Sequence, residues 1–247
     1  MLYAKLSLVG ILMSLLCGEV FAVTFESAMQ RPTVIELYTS EGCSSCPPAE
    51  RWLNRFVDND ELWQQYFPMA WHVDYWDSIG WPDRFASKRY SQRQRRYQQQ
   101  TALRSVYTPG LLVNGSAWRG WILGSDVPGQ QPTEVGILHV ELDKQRFTAS
   151  FKPALENARK AYNLHVAVLG FGLSTQVRRG ENSGKTLEHE FVVLADQQFD
   201  GSGLGWAGDL PVVSDAGSGV EKLAVVFWLE TSSSPVPIQM TGGWIGD

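Results

Sequence analysis

Apolar positions follow one rhythm up to about residue 121 and another from residue 135 onward. In the first stretch Val34, Ile35, Leu37 and Tyr38 make a short apolar run with β-branched residues, and Gly42 ends it. That is the pattern of a strand buried on both faces. Ala49, Trp52, Leu53, Phe56 and Val57 then recur at i, i+3, i+4, i+7 and i+8, one face of an α-helix. Residues 61–68 read as a connection and 69–76 as the next strand. On that strand Met69, Trp71, Val73 and Tyr75 take one side, and Ala70, His72, Asp74 and Trp76 the other. A turn cluster at 77–83 leads into a polar helix through about residue 102, in which Ser91 and Gln94 have capping-box spacing. Asn114-Gly115 between two apolar runs predicts a tight hairpin.

From Val135 the period becomes two. Leu138, Val140 and Leu142 alternate out of phase with His139 and Glu141, and Phe147, Ala149 and Phe151 follow a turn. Further strands are expected at 162–171, 186–195, 222–230 and 236–241. Short alternating strands separated by Gly, Asp and Ser turns predict a β-sandwich. Residues 122–132 carry too much Pro and Gly for a helix and read as a linker. The expected organisation is a domain over 23–126 and an all-β, sandwich-like domain over 133–247.

The amino end belongs to neither. Lys5, the apolar run Leu6 to Leu16 and the small-residue site at Val20-Phe21-Ala22 have the form of a secretory signal peptide over 1–22. The mature protein is therefore expected to be periplasmic or secreted. Leu15 and Leu16 before Cys17 are larger than a lipid-attachment signal tolerates, and no other apolar stretch is long enough to span a bilayer. A formal net charge of -5 gives no electrostatic reason to bind nucleic acid or an anionic membrane surface.

Cleavage after residue 22 leaves two cysteines, Cys43 and Cys46, which can pair only with each other. Cys43 falls at the amino end of the predicted helix, where unpartnered N–H groups and the helix dipole favour a thiolate. Pro47 and Pro48 occupy the first turn, where a missing N–H is cheap. Cys46 would then resolve a mixed disulfide formed at Cys43. The competing reading is a structural staple, but closing so short a loop gains only about 2 kcal/mol in the chain-entropy model. A zinc site is disfavoured because no second ligand pair with finger-like spacing is present, so no metal ligand set is expected.

Other candidates are weaker. His72 and Asp74, two apart on one strand face, can serve as a proton relay beside a dithiol or simply as a hydrogen-bonded polar pair. The cations from Arg84 to Arg96 read as a solvated helix face. Gly180-Glu-Asn-Ser-Gly-Lys-Thr186 mimics a phosphate loop, yet it is one residue short and leads into a strand, so no nucleotide or other cofactor is expected. His165 and His189 lack ligand-spaced neighbours and read as ordinary sheet residues.

The order strand, Cys-x-x-Cys helix, strand, helix, Thr108-Pro109, hairpin resembles the thioredoxin fold. More narrowly, Glu36-Leu-Tyr-Thr-Ser-Glu-Gly-Cys-Ser-Ser-Cys-Pro-Pro-Ala, Trp71-His-Val-Asp-Tyr-Trp-Asp, Arg93-Gln-Arg and Val106-Tyr-Thr-Pro resemble a family of secreted bacterial proteins. That family has a thioredoxin-like amino-terminal part and an unassigned function, and the match covers residues 33–121. The resemblance implies an α/β thioredoxin-like domain ahead of the all-β one, with Thr108 and Pro109 as a cis-proline site that binds extended substrate. Thioredoxin's buried acid lies six residues before the first cysteine, whereas Glu36 lies seven before, an offset that turns a strand residue to the other face. Glu36 joins His72 and Asp74 as a relay candidate on those terms. The expected function is an exported thiol-disulfide oxidoreductase whose partners are protein or small-molecule thiols and disulfides. A non-enzymatic binding protein on the same scaffold and a copper handler using both thiolates and His72 are the alternatives.

Overall fold

The computed structural model describes residues 22–129, 131–155, 161–201 and 203–246. Residues 1–21, which hold nearly all of the expected signal peptide, lie outside the described residues. The chain opens with β1 (Val23–Glu26), β2 (Thr33–Thr39), α1 (Pro47–Asn54), β3 (Tyr66–His72) and α2 (Lys88–Gln100). It continues through β4 (Gly110–Val113), β5 (Ser116–Ala117), β6 (Gly136–Asp143), β7 (Arg146–Pro153), β8 (Tyr162–Phe171) and β9 (Leu173–Gln176). The last strands are β10 (Thr186–His189), β11 (Val192–Phe199), β12 (Gly205–Asp209), β13 (Lys222–Thr231) and β14 (Ser234–Ile245). Strands hold 45% of the residues and helices 17%, so the architecture is mainly β.

One eight-stranded sheet, in the order β14-β13-β8-β11-β3-β2-β4-β5, runs through the molecule. β2 and β3 are parallel, as are β3 and β11, and the remaining neighbours are antiparallel. Strands from both sides of residues 122–132 thus share a sheet. The seam is the pairing of Val192 with Ala70, closed by the Ala70 N–H donating to the Phe191 carbonyl at 2.8 Å. The expected linker joins two stretches of chain but does not separate two sheets. β1, near the amino end, pairs with β6 in a second sheet ordered β1-β6-β7-β12. This sheet packs on the large one as a sandwich, with Phe25 and Phe147 against Phe227 at ring distances of 6.3 and 5.2 Å.

Local chemistry explains where these elements begin and end. The hairpin at Asn114-Gly115 forms as expected, with both residues in the left-handed region at φ 49° and 79°, the geometry that suits a two-residue β turn. Helix α2 is capped by Ser87, whose hydroxyl accepts from the Arg89 N–H, so Ser91 lies inside the helix rather than at its cap. Strand β3 starts three residues before the expected position and stops at His72, because residues 74–79 turn into a 3₁₀ helix. The expected strand 186–195 splits at Phe191, which takes a φ of 60°. β10 accordingly leaves the large sheet and pairs with β9 alone.

Candidate functional site

The turn between β2 and α1 carries the sequence Ser40-Glu-Gly-Cys43-Ser-Ser-Cys46. Its backbone closes on itself, with the Cys43 N–H donating to the Ser40 carbonyl at 3.1 Å and the Cys46 N–H to the Cys43 carbonyl at 3.2 Å. Cys43 and Cys46 form a disulfide, with α-carbons 5.4 Å apart. Cys46 is the N-cap of α1, and Pro47 opens the helix. The disulfide therefore sits at a helix amino terminus.

Both cysteines are 0% exposed. The loop between β9 and β10 is bonded to the backbone of this turn. Asn182 donates from Nδ2 to the carbonyls of Glu41 and Cys43, each at 2.9 Å, and the Ser44 N–H donates to the Glu181 carboxylate at 3.1 Å. A Cβ on Gly80 would stand 3.4 Å from the Gly180 α-carbon, so the same loop also meets the turn that follows residues 74–79. The segment that mimics a phosphate loop thus serves as a strap over the disulfide turn.

Beside Ser45 lies a mostly apolar cavity of about 260 Å³, lined by Tyr107, Thr108, Pro109, Trp118 and Trp121 among others. The Thr108–Pro109 bond is cis, and Thr108 Oγ1 accepts from Trp76 Nε1 at 2.7 Å. Thr108 and Pro109 are therefore brought to the dithiol turn. Of the three relay candidates, Asp74 and Glu36 are drawn to α2, whereas His72 is linked to the turn through Asp83, which accepts from the Glu41 N–H.

Parallel register places Thr39 beside His72, with both side chains on the face that α1 covers. His72 Nδ1 meets Asp83 Oδ2 at 2.7 Å, not Asp74. Because β3 ends at His72, Asp74 leaves the strand pattern and accepts from the Ser91 hydroxyl of α2. Glu36 points to the opposite face, where it pairs with Arg93 Nε at 2.7 Å and accepts from the Tyr97 hydroxyl. Arg93 also meets Glu230 at 2.6 Å and lies over the Trp71 and Trp228 rings, while Arg96 and His165 approach Glu230 from outside.

On the α1 face a different group of charges is buried. His189, at the end of β10, has Nδ1 2.9 Å from Glu50 Oε2 and Nε2 3.2 Å from Glu41 Oε1. The second of these is an ionic contact, off the line of a hydrogen bond, and Glu41 Oε1 has no other partner. Glu41 Oε2 accepts from Trp81 Nε1 at 2.7 Å, and Glu50 Oε1 accepts from the Thr39 hydroxyl. Asp83 takes backbone N–H groups from Glu41 and Phe85, both at 2.9 Å. The imidazoles of His72 and His189 are 5.2 Å apart, and His72 Nε2 is buried without a hydrogen-bond partner.

Burial alone would lower the His189 imidazole, but Glu50 and Glu41 outweigh it and lift the pKa to about 10. For Glu50, burial pushes the carboxyl up, and His189, His72 and Thr39 together bring it below the ordinary value. Burial also opposes ionisation of Asp83, and His72 with the two backbone donors overcomes it.

Four members of this group, Glu41, Glu50, Asp83 and His189, were not among the sequence candidates. Glu50 carried a visible signal, since it lies four residues after Cys46 and so shares its helix face. His189, expected to be an ordinary sheet residue, had none. Its neighbours arrive from α1 and β3 only through the fold.

The chain matches the family described as "Protein of unknown function (DUF1223)" over residues 34–227. That span includes both cysteines and every member of the buried group. Among solved structures, the fold is similar to that of a protein from Agrobacterium tumefaciens determined by X-ray crystallography, at 22% identity and a TM-score of 0.58, covering 89% of this chain and 97% of that one. It is also similar to HBP35 of Porphyromonas gingivalis, at 13% identity and a TM-score of 0.55, over 88% of this chain and 76% of that one. Among curated proteins none matches.

Proposed function

We infer the function of this chain, which belongs to the DUF1223 family of unknown function, from its own atoms, and propose that it is an exported thiol-disulfide oxidoreductase on a thioredoxin-like scaffold. The observation that carries this reading is a Cys-x-x-Cys disulfide at the amino terminus of α1 with the cavity of Thr108 and Pro109 beside it. Parallel β2 and β3 joined through α1, and β4 antiparallel to β2 directly after Pro109, support the scaffold. Export rests on the pattern of residues 1–22.

In the reduced protein the Cys43 thiolate attacks one sulfur of a substrate disulfide. That bond breaks, a Cys43–substrate disulfide forms, and the departing thiolate takes a proton from solvent. The Cys46 thiolate then attacks Cys43, releasing the second substrate thiolate. The substrate gains two electrons and the Cys43–Cys46 pair loses them; the reverse sequence oxidises a substrate dithiol. Because both cysteines are buried, exchange requires the strap of residues 178–184 to lift from the turn.

The same burial favours a second reading, a non-enzymatic protein with a structural disulfide. The reduction potential separates the two. A catalytic pair is expected between about -270 and -120 mV, and a structural one below about -300 mV. Asn182→Ala removes two hydrogen bonds from the strap, each worth about 1 kcal/mol, so it should speed reduction of the disulfide by a small dithiol by up to about 30-fold while leaving the potential within the catalytic range. A potential below the structural limit, with thiols inert to alkylation in the folded reduced protein, would overturn the oxidoreductase reading.

A further inference from the structure

We propose that Glu50, His72 and His189 form a binding site for one divalent ion of the zinc type, held by His72 Nε2, His189 Nδ1 and a Glu50 carboxylate oxygen. The site does not rest on the redox reading. One candidate ligand atom from each of the three residues lies within 4.8 Å of the others, and all three residues are buried. Two imidazole nitrogens and one carboxylate oxygen suit zinc and similar borderline ions, and a set of three protein ligands leaves a position open.

Proximity alone would not distinguish such a site from a buried ion-pair cluster. What distinguishes it is the set of contacts behind each ligand. His72 meets Asp83 through Nδ1 at 2.7 Å, so a proton on Nδ1 leaves the Nε2 lone pair free, and Nε2 is buried with no partner. An orphaned polar atom in that setting is costly, and a bound cation would satisfy it. His189 presents Nδ1 to Glu50 and has Glu41 behind Nε2 at 3.2 Å. Glu50 has its other oxygen held by the Thr39 hydroxyl. Hydrogen bonds behind His72 and Glu50, with an ionic contact behind His189, resemble the outer partners that orient ligands at metal sites.

Charge and access agree. Glu41, Glu50 and Asp83 are buried against imidazoles, with no lysine or arginine paired to them among the described residues. A dication offsets that negative charge without either imidazole carrying an extra proton. A surface cavity of about 230 Å³, lined by Pro47, Glu50, Arg51 and residues 186–188, opens onto the Glu50 side. His72 and His189 are the last residues of their strands, so both ligands stand on rigid elements.

The test is equilibrium dialysis of the mature chain, with its disulfide closed, against Zn²⁺, followed by Co²⁺ substitution. With the thiolates tied up, we expect one ion per chain and two hyperfine-shifted imidazole N–H signals in the Co²⁺ protein. H72Q and H189Q should weaken binding by at least about 100-fold, and D83N by roughly 10- to 100-fold. Failure of the oxidised wild-type chain to bind stoichiometrically would overturn the site. So would fewer than two imidazole signals, or undiminished binding in a folded H72Q protein. The wild-type measurements stand even where a variant fails to fold, and none of them depends on the reduction potential.

Discussion

The two faces of β2 and β3 bury charge in opposite ways. On the α2 face the cations that neutralise Glu36 and Glu230 are Arg93 and Arg96, guanidinium groups that stay charged at any accessible pH. Arg93 is further fixed between Trp71 and Trp228, and it donates to the Pro235 carbonyl. On the α1 face Glu41, Glu50 and Asp83 meet imidazoles, with no lysine or arginine paired to them among the described residues, and an imidazole can exchange a proton for a metal. One network is locked and ties β2, α2, β13 and β14 together. The other is exchangeable and lies next to the disulfide turn.

The largest difference between the faces is expected at Arg93. Replacing it with Met leaves Glu36 and Glu230 buried without their main partner, and such a change is expected to cost about 3–5 kcal/mol. Urea denaturation reads this as a lowered midpoint with unchanged slope. Zn²⁺ affinity of the folded fraction should stay where it is in the wild type. A loss below about 1 kcal/mol would mean that the α2 network is not what holds the sheet to α2.

Acid and base should act on the two faces in opposite senses. Burial lowers the His165 imidazole, stacked on Trp228, to about 4 against the pull of Glu230; Arg93, Arg96 and Arg89 add to the lowering. Its folded pKa lies below the unfolded value near 6.5, so the unfolded chain takes up a proton that the native chain refuses, and stability falls as pH drops through that interval. His189 is raised to about 10, so its contribution is complete below the unfolded pKa and fades as pH rises through the folded one. The two partly cancel in the wild type. The difference between wild type and His165→Gln isolates the first: relative to the variant, the wild type should lose about 2 kcal/mol between pH 7 and pH 5. Equal pH dependence in both proteins would show that His165 is not kept neutral by its surroundings.

Arg89 pairs with Asp196 at 2.8 Å, but its side chain is 58% exposed. Arg89→Ala should change stability by less than about 0.5 kcal/mol and vanish into error at high salt. A larger loss would extend the locked network to the surface.

Much of the dithiol turn was legible in the order of residues because its determinants are local. The apolar run at 34–38, the helix period from Ala49 and the Asn114-Gly115 turn each act over a few positions; the strand and the turn took the expected form, while the α-helix ends at Asn54 and Phe56 and Val57 lie in a 3₁₀ turn that continues it. Asp74 was misassigned for an equally local reason that periodicity does not reveal: β3 stops at His72, and Ser91 draws Asp74 toward α2. The α1-face cluster was out of reach because residues 41, 50, 72, 83 and 189 meet only after β10 leaves the large sheet, a step set by the turn at Phe191. The seam between Val192 and Ala70 was hidden in the same way.

That seam has a consequence for biogenesis. β3 is flanked by β2 on one side and by β11 on the other, yet a chain made from its amino end completes β2, α1 and β3 long before Val192 exists. Through that interval the β3 edge carries unpaired N–H and carbonyl groups beside apolar residues such as Met69 and Trp71, a template onto which any other strand can add. A product truncated at residue 126 would keep this edge open permanently and invite aggregation, even though it contains the whole disulfide turn.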